Sequence, residues 1–245
     1  MKSIFLKEIR SFFSSLVGYF VIVLFLLVAG LFMWVMPDTN IPDFGYASMD
    51  RFFSFAPWLL IFLIPAITMR TFSDEFKSGT IEFLATKPLQ NKDIILGKFF
   101  ASFVLVIISI LPTLLYVYSI SALAITNHQL DMGSIIGSYL GLLFLVAAFT
   151  SIGLFCSAST ENQIISFLLS VFVSFLLYMG FESVSKLPFF AGMLDYYISQ
   201  FGMTFHYSSI SRGVLDSRDL VYFLSVSALF LLGTNLFLQK RNWNG

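Results

Sequence analysis

The chain has little with which to do covalent or redox chemistry. Cys156 is its one cysteine in 245 residues, so neither an intrachain disulfide nor a thiolate metal cluster can form. Its two histidines, His128 and His206, have no carboxylate or cysteine at metal-ligand spacing, and there is no H-E-x-x-H pair. Gly97-Lys98 lacks the upstream glycine and the following Ser/Thr of a phosphate-binding loop. No G-x-S-x-G nucleophile turn occurs either. The chain is therefore expected not to be an enzyme, and to hold no cofactor or metal of its own. Charge is scarce as well, at 11% of residues against roughly a quarter in ordinary globular proteins. The net charge of zero gives no basic surface for nucleic acid.

What is abundant is apolar surface. Apolar residues make up 58% of the chain and Phe alone occurs 31 times. A soluble domain cannot hide this much from water without large exposed patches, so lipid is the natural solvent. A helix needs about 20 mostly apolar residues to cross the hydrocarbon core. Six stretches qualify, at about 16–36, 55–69, 99–125, 135–157, 164–181 and 220–238. The predicted fold class is an all-α membrane protein with six transmembrane helices in one domain over 1–245. The second and fifth stretches are short, and re-entrant segments are the alternative for them. The first stretch is too long for a cleaved signal peptide and has no small-x-small cleavage site after it, so it reads as a retained span.

The placement of charge gives orientation. Ten Lys/Arg (Lys2, Lys7, Arg10, Arg70, Lys77, Lys87, Lys92, Lys98, Lys240 and Arg241) fall on one side of this layout. Four (Arg51, Lys186, Arg212 and Arg218) fall on the other. The bias predicts cytoplasmic N- and C-termini. Trp34, Trp58 and Trp243 stand near predicted span ends, as in an aromatic belt. The spans themselves carry hydroxyls such as Ser109, Thr113 and Ser170, and Asn235, but no acid. This argues against an ion-coupled carrier. Energy, if used, must enter from another chain.

The segments between spans differ in character. Residues 1–15 place Ile4, Phe5, Ile9, Phe12 and Phe13 at helical spacing, with Lys2, Lys7, Glu8 and Arg10 on the remaining arc. This predicts an amphipathic interfacial helix, or else an extension of the first span. Gly133, Gly137 and Gly141, four apart with Ser134 and Ser138 beside them, form a helix-packing stripe for a neighbour in this chain or in a second copy. The loop 157–163 is short, with Ser159 or Thr160 as the expected cap of the fifth span. Residues 182–219 are too apolar for a free loop and too interrupted for a span. They predict partly inserted outer helices, or a lid on another subunit.

The loop after the second span is the most informative. Between Arg70 and Lys98 it carries nine charged residues: Arg70, Asp74, Glu75, Lys77, Glu82, Lys87, Lys92, Asp93 and Lys98. Thr80 is placed to cap a short helix over 81–86, Pro88 ends it, and Asn91 is expected to cap the helix of the third span. Exposed Ile81, Phe83 and Leu84 need either a protein partner or the headgroup layer to cover them.

This loop, Phe76-Lys-Ser-Gly-Thr-Ile-Glu-Phe-Leu-Ala-Thr-Lys-Pro-Leu followed by Asp93-Ile-Ile-Leu-Gly-Lys98, resembles the cytoplasmic signature of type-2 ABC exporter permeases. Lys77 stands close to where many members have Glu. The stretch from Phe205 to Asp216 and the end Gln239-Lys-Arg-Asn-Trp243 resemble the gliding-motility-associated ABC permeases of Bacteroidota. The resemblance implies a bacterial inner-membrane permease whose ATP is bound by a partner, a cytoplasmic ATP-binding subunit. It also implies a second permease half, identical or different, possessing in some relatives an outer-side domain. The coupling role maps onto Asp74, Glu75, Gly79, Thr80, Glu82, Phe83, Leu84 and Pro88. The work done is export or, as in the gliding relatives, mechanical. A membrane scaffold that transports nothing is the alternative.

Overall fold

The computed structural model describes residues 1–37, 40–41, 48–80, 90–124, 130–190, 192 and 194–243, with side chains up to residue 240. The helix expected over 81–86, with Glu82, Phe83, Leu84 and Pro88, lies outside the described residues, as does His128. The described chain is all-helical.

The helices are α1 (Lys2–Phe13), α2 (Leu16–Trp34), α3 (Asp50–Thr68), α4 (Ser73–Lys77), α5 (Asn91–Ile110), α6 (Leu114–Leu123), α7 (Met132–Ser159), α8 (Gln163–Phe175), α9 (Phe181–Ser185), α10 (Leu194–Ser199), α11 (Met203–Ser211) and α12 (Ser217–Trp243). Six stretches are long and apolar enough to cross a membrane: Leu16–Trp34, Asp50–Lys77, Asn91–Leu123, Met132–Ser159, Gln163–Ser185 and Ser217–Lys240. The second and fifth have full spanning length. Most helices also run past the hydropathy-based bounds of 55–69, 99–125, 135–157, 164–181 and 220–238, at one end or both. Hydropathy marks where the side chains are apolar, whereas backbone hydrogen bonding carries the helix on into its polar flanks. Trp58 accordingly sits inside α3, edge-on to Tyr178, and not at a helix end.

Local chemistry sets the boundaries. Ser15 is extended, and its hydroxyl accepts from Gly18 N at 3.1 Å, so α1 and α2 are separate helices and not one long one. Asp131 caps α7 by accepting from Gly133 N and Ser134 N. Two expected caps fail. Asn162, not Ser159 or Thr160, caps α8, because only its side chain reaches Ile164 N, at 2.9 Å. Gln90 occupies the cap position of α5 and Asn91 is already helical, with no side-chain cap bond. Pro112, which has no N–H to give, turns the third span through a tight turn at Leu111–Thr113 before α6.

α7 is the axle of the bundle, with 72% of its most apolar stretch buried inside the protein. Spans two and three are each 61% buried on the same measure, and spans one, five and six only 17–22%. The outer three therefore turn broad apolar faces outward, as helices facing lipid do. At the crossing of α7 and α3, a Cβ added at Gly153 would lie 2.1 Å from Thr68 Oγ1. Absence of a side chain there is what lets the two backbones approach.

The 182–219 segment folds into short helices, of which α11 is held on several sides. Tyr207 donates to Phe53 O at 2.8 Å, Ser134 and Ser138 donate to Ser211 O, and Thr204 donates to Tyr178 O.

Gly153→Ala should lower the melting temperature of the detergent-solubilised chain by several degrees, and adding Thr68→Ala should recover part of the loss. A silent Gly153→Ala would show that the α3–α7 crossing is not tight.

Candidate coupling site at the α1 end of the bundle

α1, the end of the second span and the start of the third meet at one end of the bundle. A small core of Ile4, Phe72, Phe76, Ile94, Ile95, Phe99, Leu154, Ala158 and Leu238 lies there. Gly97 on α5 provides the seat for α1, since a Cβ would approach Ile4 Cβ to 3.1 Å and Met1 O to 3.2 Å. The next residue, Lys98, points its ammonium into the same junction and is fully buried, at 0% exposure.

An ammonium has three protons to donate, and leaving them unpaired away from water is costly. Here Lys98 Nζ donates to Glu8 Oε1 of α1 at 2.8 Å and to Thr71 O between α3 and α4, and forms an ion pair with Glu75 Oε1 of α4 at 3.0 Å. The Phe72 ring lies under it, 4.9 Å from the nitrogen to the centroid. Glu75 Oε1 also accepts from Lys7 Nζ at 2.8 Å. Burial by itself lowers the Lys7 pKa, but its hydrogen bond to Glu75 and the charges of Glu75 and Glu8 outweigh that and hold it above 10.5. The contribution of this pairing is therefore full at neutral pH. It is lost only as the pH rises through the raised value. α1 is thus not merely a membrane-facing helix. Lys7 and Glu8, on its polar arc, reach inward and tie it to α4 and α5.

Ser157 of α7 closes the corner between α3 and α4. Its hydroxyl donates to Met69 O at 3.1 Å and accepts from Phe72 N at 3.0 Å and Ser73 N at 3.2 Å. These are among the groups that helix ends leave unpaired. Gln163, at the start of α8, donates to the Asp74 carboxylate.

The residues singled out in the sequence therefore divide. Asp74 and Glu75 point into the bundle, and Glu75 is 7% exposed. Gly79 and Thr80 stand on the exposed turn after α4, where Gly79 has φ of +69°, a conformation that L side chains rarely adopt. Gly133, Gly137 and Gly141 lie at the opposite end. There Gly137 faces Ile210 O and Gly213, and Gly141 faces Tyr207 and Ile210, all in or just after α11 of the same chain. His206 also belongs to that end. Its ring nitrogens stand 2.7 Å from Asp219 Oδ1 and 2.8 Å from Gln200 O, with Tyr222 stacked on it at 4.0 Å. Asp219 is a buried acid at the start of the last span, which the expectation of acid-free spans missed. Sequence reasoning also missed Lys7, Glu8, Lys98 and Ser157 as a unit. The Gly97-Lys98 pair was the one available signal.

A family model described as "ABC-2 family transporter protein" matches residues 3–193. The chain belongs to that family. A comparison with curated proteins finds no significant match. Membership makes this multi-pass membrane protein a permease subunit of an ABC transporter, and such permeases pair with an ATP-binding subunit. The matched region contains Lys98 and its partners Glu8, Thr71, Phe72 and Glu75.

The permease should depend on this junction unevenly. Lys98→Met leaves Glu8 and Glu75 facing each other without their shared cation, and should cost about 3 kcal/mol in denaturant melts. Adding Glu8→Gln and Glu75→Gln should recover much of it. Lys7→Ala should cost under about 1 kcal/mol, because that side chain is 56% exposed and screened by water. Equal losses for Lys98→Met and Lys7→Ala would contradict the assignment of Lys98 as the centre.

Proposed function

We propose that this permease converts ATP hydrolysis by a separate cytoplasmic subunit into movement of its own spans, driving export or mechanical work in gliding motility. The observation that carries the proposal is the Lys98 junction. It binds α4 and α5 into one block with α1, and these two helices flank the segment 81–89. A push delivered to that segment reaches the second and third spans together. Membership of the family supports the existence of an ATP-binding partner, and the chain's own lack of a phosphate-binding loop agrees with it.

On this reading the segment from Gly79 to Pro88 is the docking element. Gly79 and Thr80 form its exposed entry, and Glu82, Phe83, Leu84 and Pro88 carry its contacts. Asp74 and Glu75 act from behind, as the anchor that keeps the element joined to the bundle. The Lys/Arg bias supports placing this end, with both termini, in the bacterial cytoplasm. The broad outward faces of spans one, five and six leave room for a second permease half as well as lipid. The gliding-motility part rests on the segments 205–216 and 239–243, which lie beyond the matched residues 3–193.

Phe83→Asp and Glu82→Lys should each reduce co-purification of the ATP-binding subunit and abolish permease-dependent stimulation of its ATPase. Both variants should keep the wild-type melting temperature. Wild-type binding and stimulation in both would remove the docking assignment.

A further inference from the structure

A cavity of about 190 Å³ lies beside the Lys98 junction, between α1, the end of the second span and α5. Lys7, Arg70, Glu75 and Ser102 line its polar side, and Phe12 and Leu105 its apolar side. Two of the atoms involved are buried and lack any hydrogen-bond partner among the described residues: Arg70 Nε, a donor, and Glu75 Oε2, an acceptor. Glu75 is a residue more than nine-tenths buried, and its other oxygen is already taken by Lys7 and Lys98. The Arg70 side chain makes no hydrogen bond or ion pair with any described residue. Buried groups of this kind are rarely left unmatched, because each costs the energy of its lost water.

The two orphan atoms are of opposite kind, which constrains what fills the space. A simple anion would satisfy Arg70 and be repelled by Glu75, and a simple cation the reverse. The surrounding charges, Lys7, Arg70 and Lys98 against Glu8, Asp74 and Glu75, are three against three, so the field favours neither sign. The depth is fixed by the elements. Ser15 immediately precedes the first span, and Arg70 and Glu75 stand near the end of the second. That is the level at which lipid headgroups meet a bundle. The mixed wall, polar on one side and apolar on the other, suits an amphiphile better than water alone.

We propose that this cavity is a binding site for the headgroup of a phosphatidylethanolamine molecule. Its phosphate accepts from Arg70 Nε, its primary ammonium donates to Glu75 Oε2, and its glycerol backbone and upper chains run out past Phe12 and Leu105. Phosphatidylcholine presents a phosphate but no N–H donor for Glu75. Phosphatidylglycerol presents a phosphate and hydroxyls with a net negative charge. The site discriminates against both. A lipid seated here touches α1, the end of α3 and α5 at once, so it fills the junction that the Lys98 ion pairs brace.

The test is native mass spectrometry of the delipidated full chain, incubated with equal amounts of phosphatidylethanolamine, phosphatidylcholine and phosphatidylglycerol of identical acyl chains. Wild type should retain phosphatidylethanolamine in preference to the other two. Arg70→Gln should lower that retention about tenfold, the scale of one charge-assisted hydrogen bond. Its melting temperature in lipid-free detergent should stay unchanged, because the Arg70 side chain has no partner to lose among the described residues. Arg70→Lys, which keeps a cation for the phosphate, should retain part of the preference. Equal retention of the three lipids by wild type would overturn the proposal in favour of a water-filled cavity. So would a preference that survives Arg70→Gln. Preferential retention of phosphatidylglycerol would overturn the zwitterion assignment.

Discussion

The buried ammonium of Lys98 sets the terms for everything at the α1 end of the molecule. A lysine with no exposure needs its charge balanced and its protons paired, and no single helix supplies all of those partners. Glu8 of α1 and the backbone carbonyl just before α4 accept its hydrogen bonds, and Glu75 of α4 adds a second carboxylate charge. The requirement therefore fixes the relative positions of three elements far apart in sequence. Gly97 makes the arrangement reachable by letting α1 lie against α5, and Ser157 closes the α3–α4 corner from the central helix. An apolar core at this junction would hold the elements together but would not fix their register, since apolar contacts have no direction. A three-way ion pair does.

The opposite end of the bundle uses a different physical strategy. Small residues bring backbones close, and hydroxyls and a tyrosine then bond to carbonyls that the short outer helices leave free. Gly137 and Gly141 admit α11, while Ser134, Ser138 and Tyr207 stitch it to α7 and α3. His206 and Asp219 join α11 to the last span. Charge, expensive in the hydrocarbon layer, is thus spent near the span ends, while close helix crossings rest on packing, as at Gly153 against Thr68. Such a division suits an energy-transducing permease. On the proposed coupling, force would enter at the rigid, specific end and be carried onward by helices that pack through apolar faces.

Much of this was legible in the sequence. Apolar runs and the Gly-Thr-x-Glu loop pointed to a six-span ABC-2 permease. The glycine stripe was visible too, although its partner was not, because a stripe says that something packs closely and not what. Boundaries were less legible at Asp50, Asn91 and Ser217, where helices begin in polar residues that hydropathy excludes. The caps Asn162 and Gln90 were mistaken for their neighbours, since a cap depends on where the backbone turns and not on residue type alone.

Sequence by itself determined the solvent and the class of the fold, because these depend on composition and on local periodicity. Only the tertiary structure decided that Lys7, Glu8, Glu75 and Lys98 form one cluster, that Gly97 is the seat of α1, and that Arg70 and Glu75 share a cavity. Their separations in the chain are up to 91 positions, from Lys7 to Lys98. In one dimension each reads as an ordinary surface charge of a cytoplasmic loop or amphipathic helix. A charge changes meaning when it is buried, and burial is a property of how the helices meet.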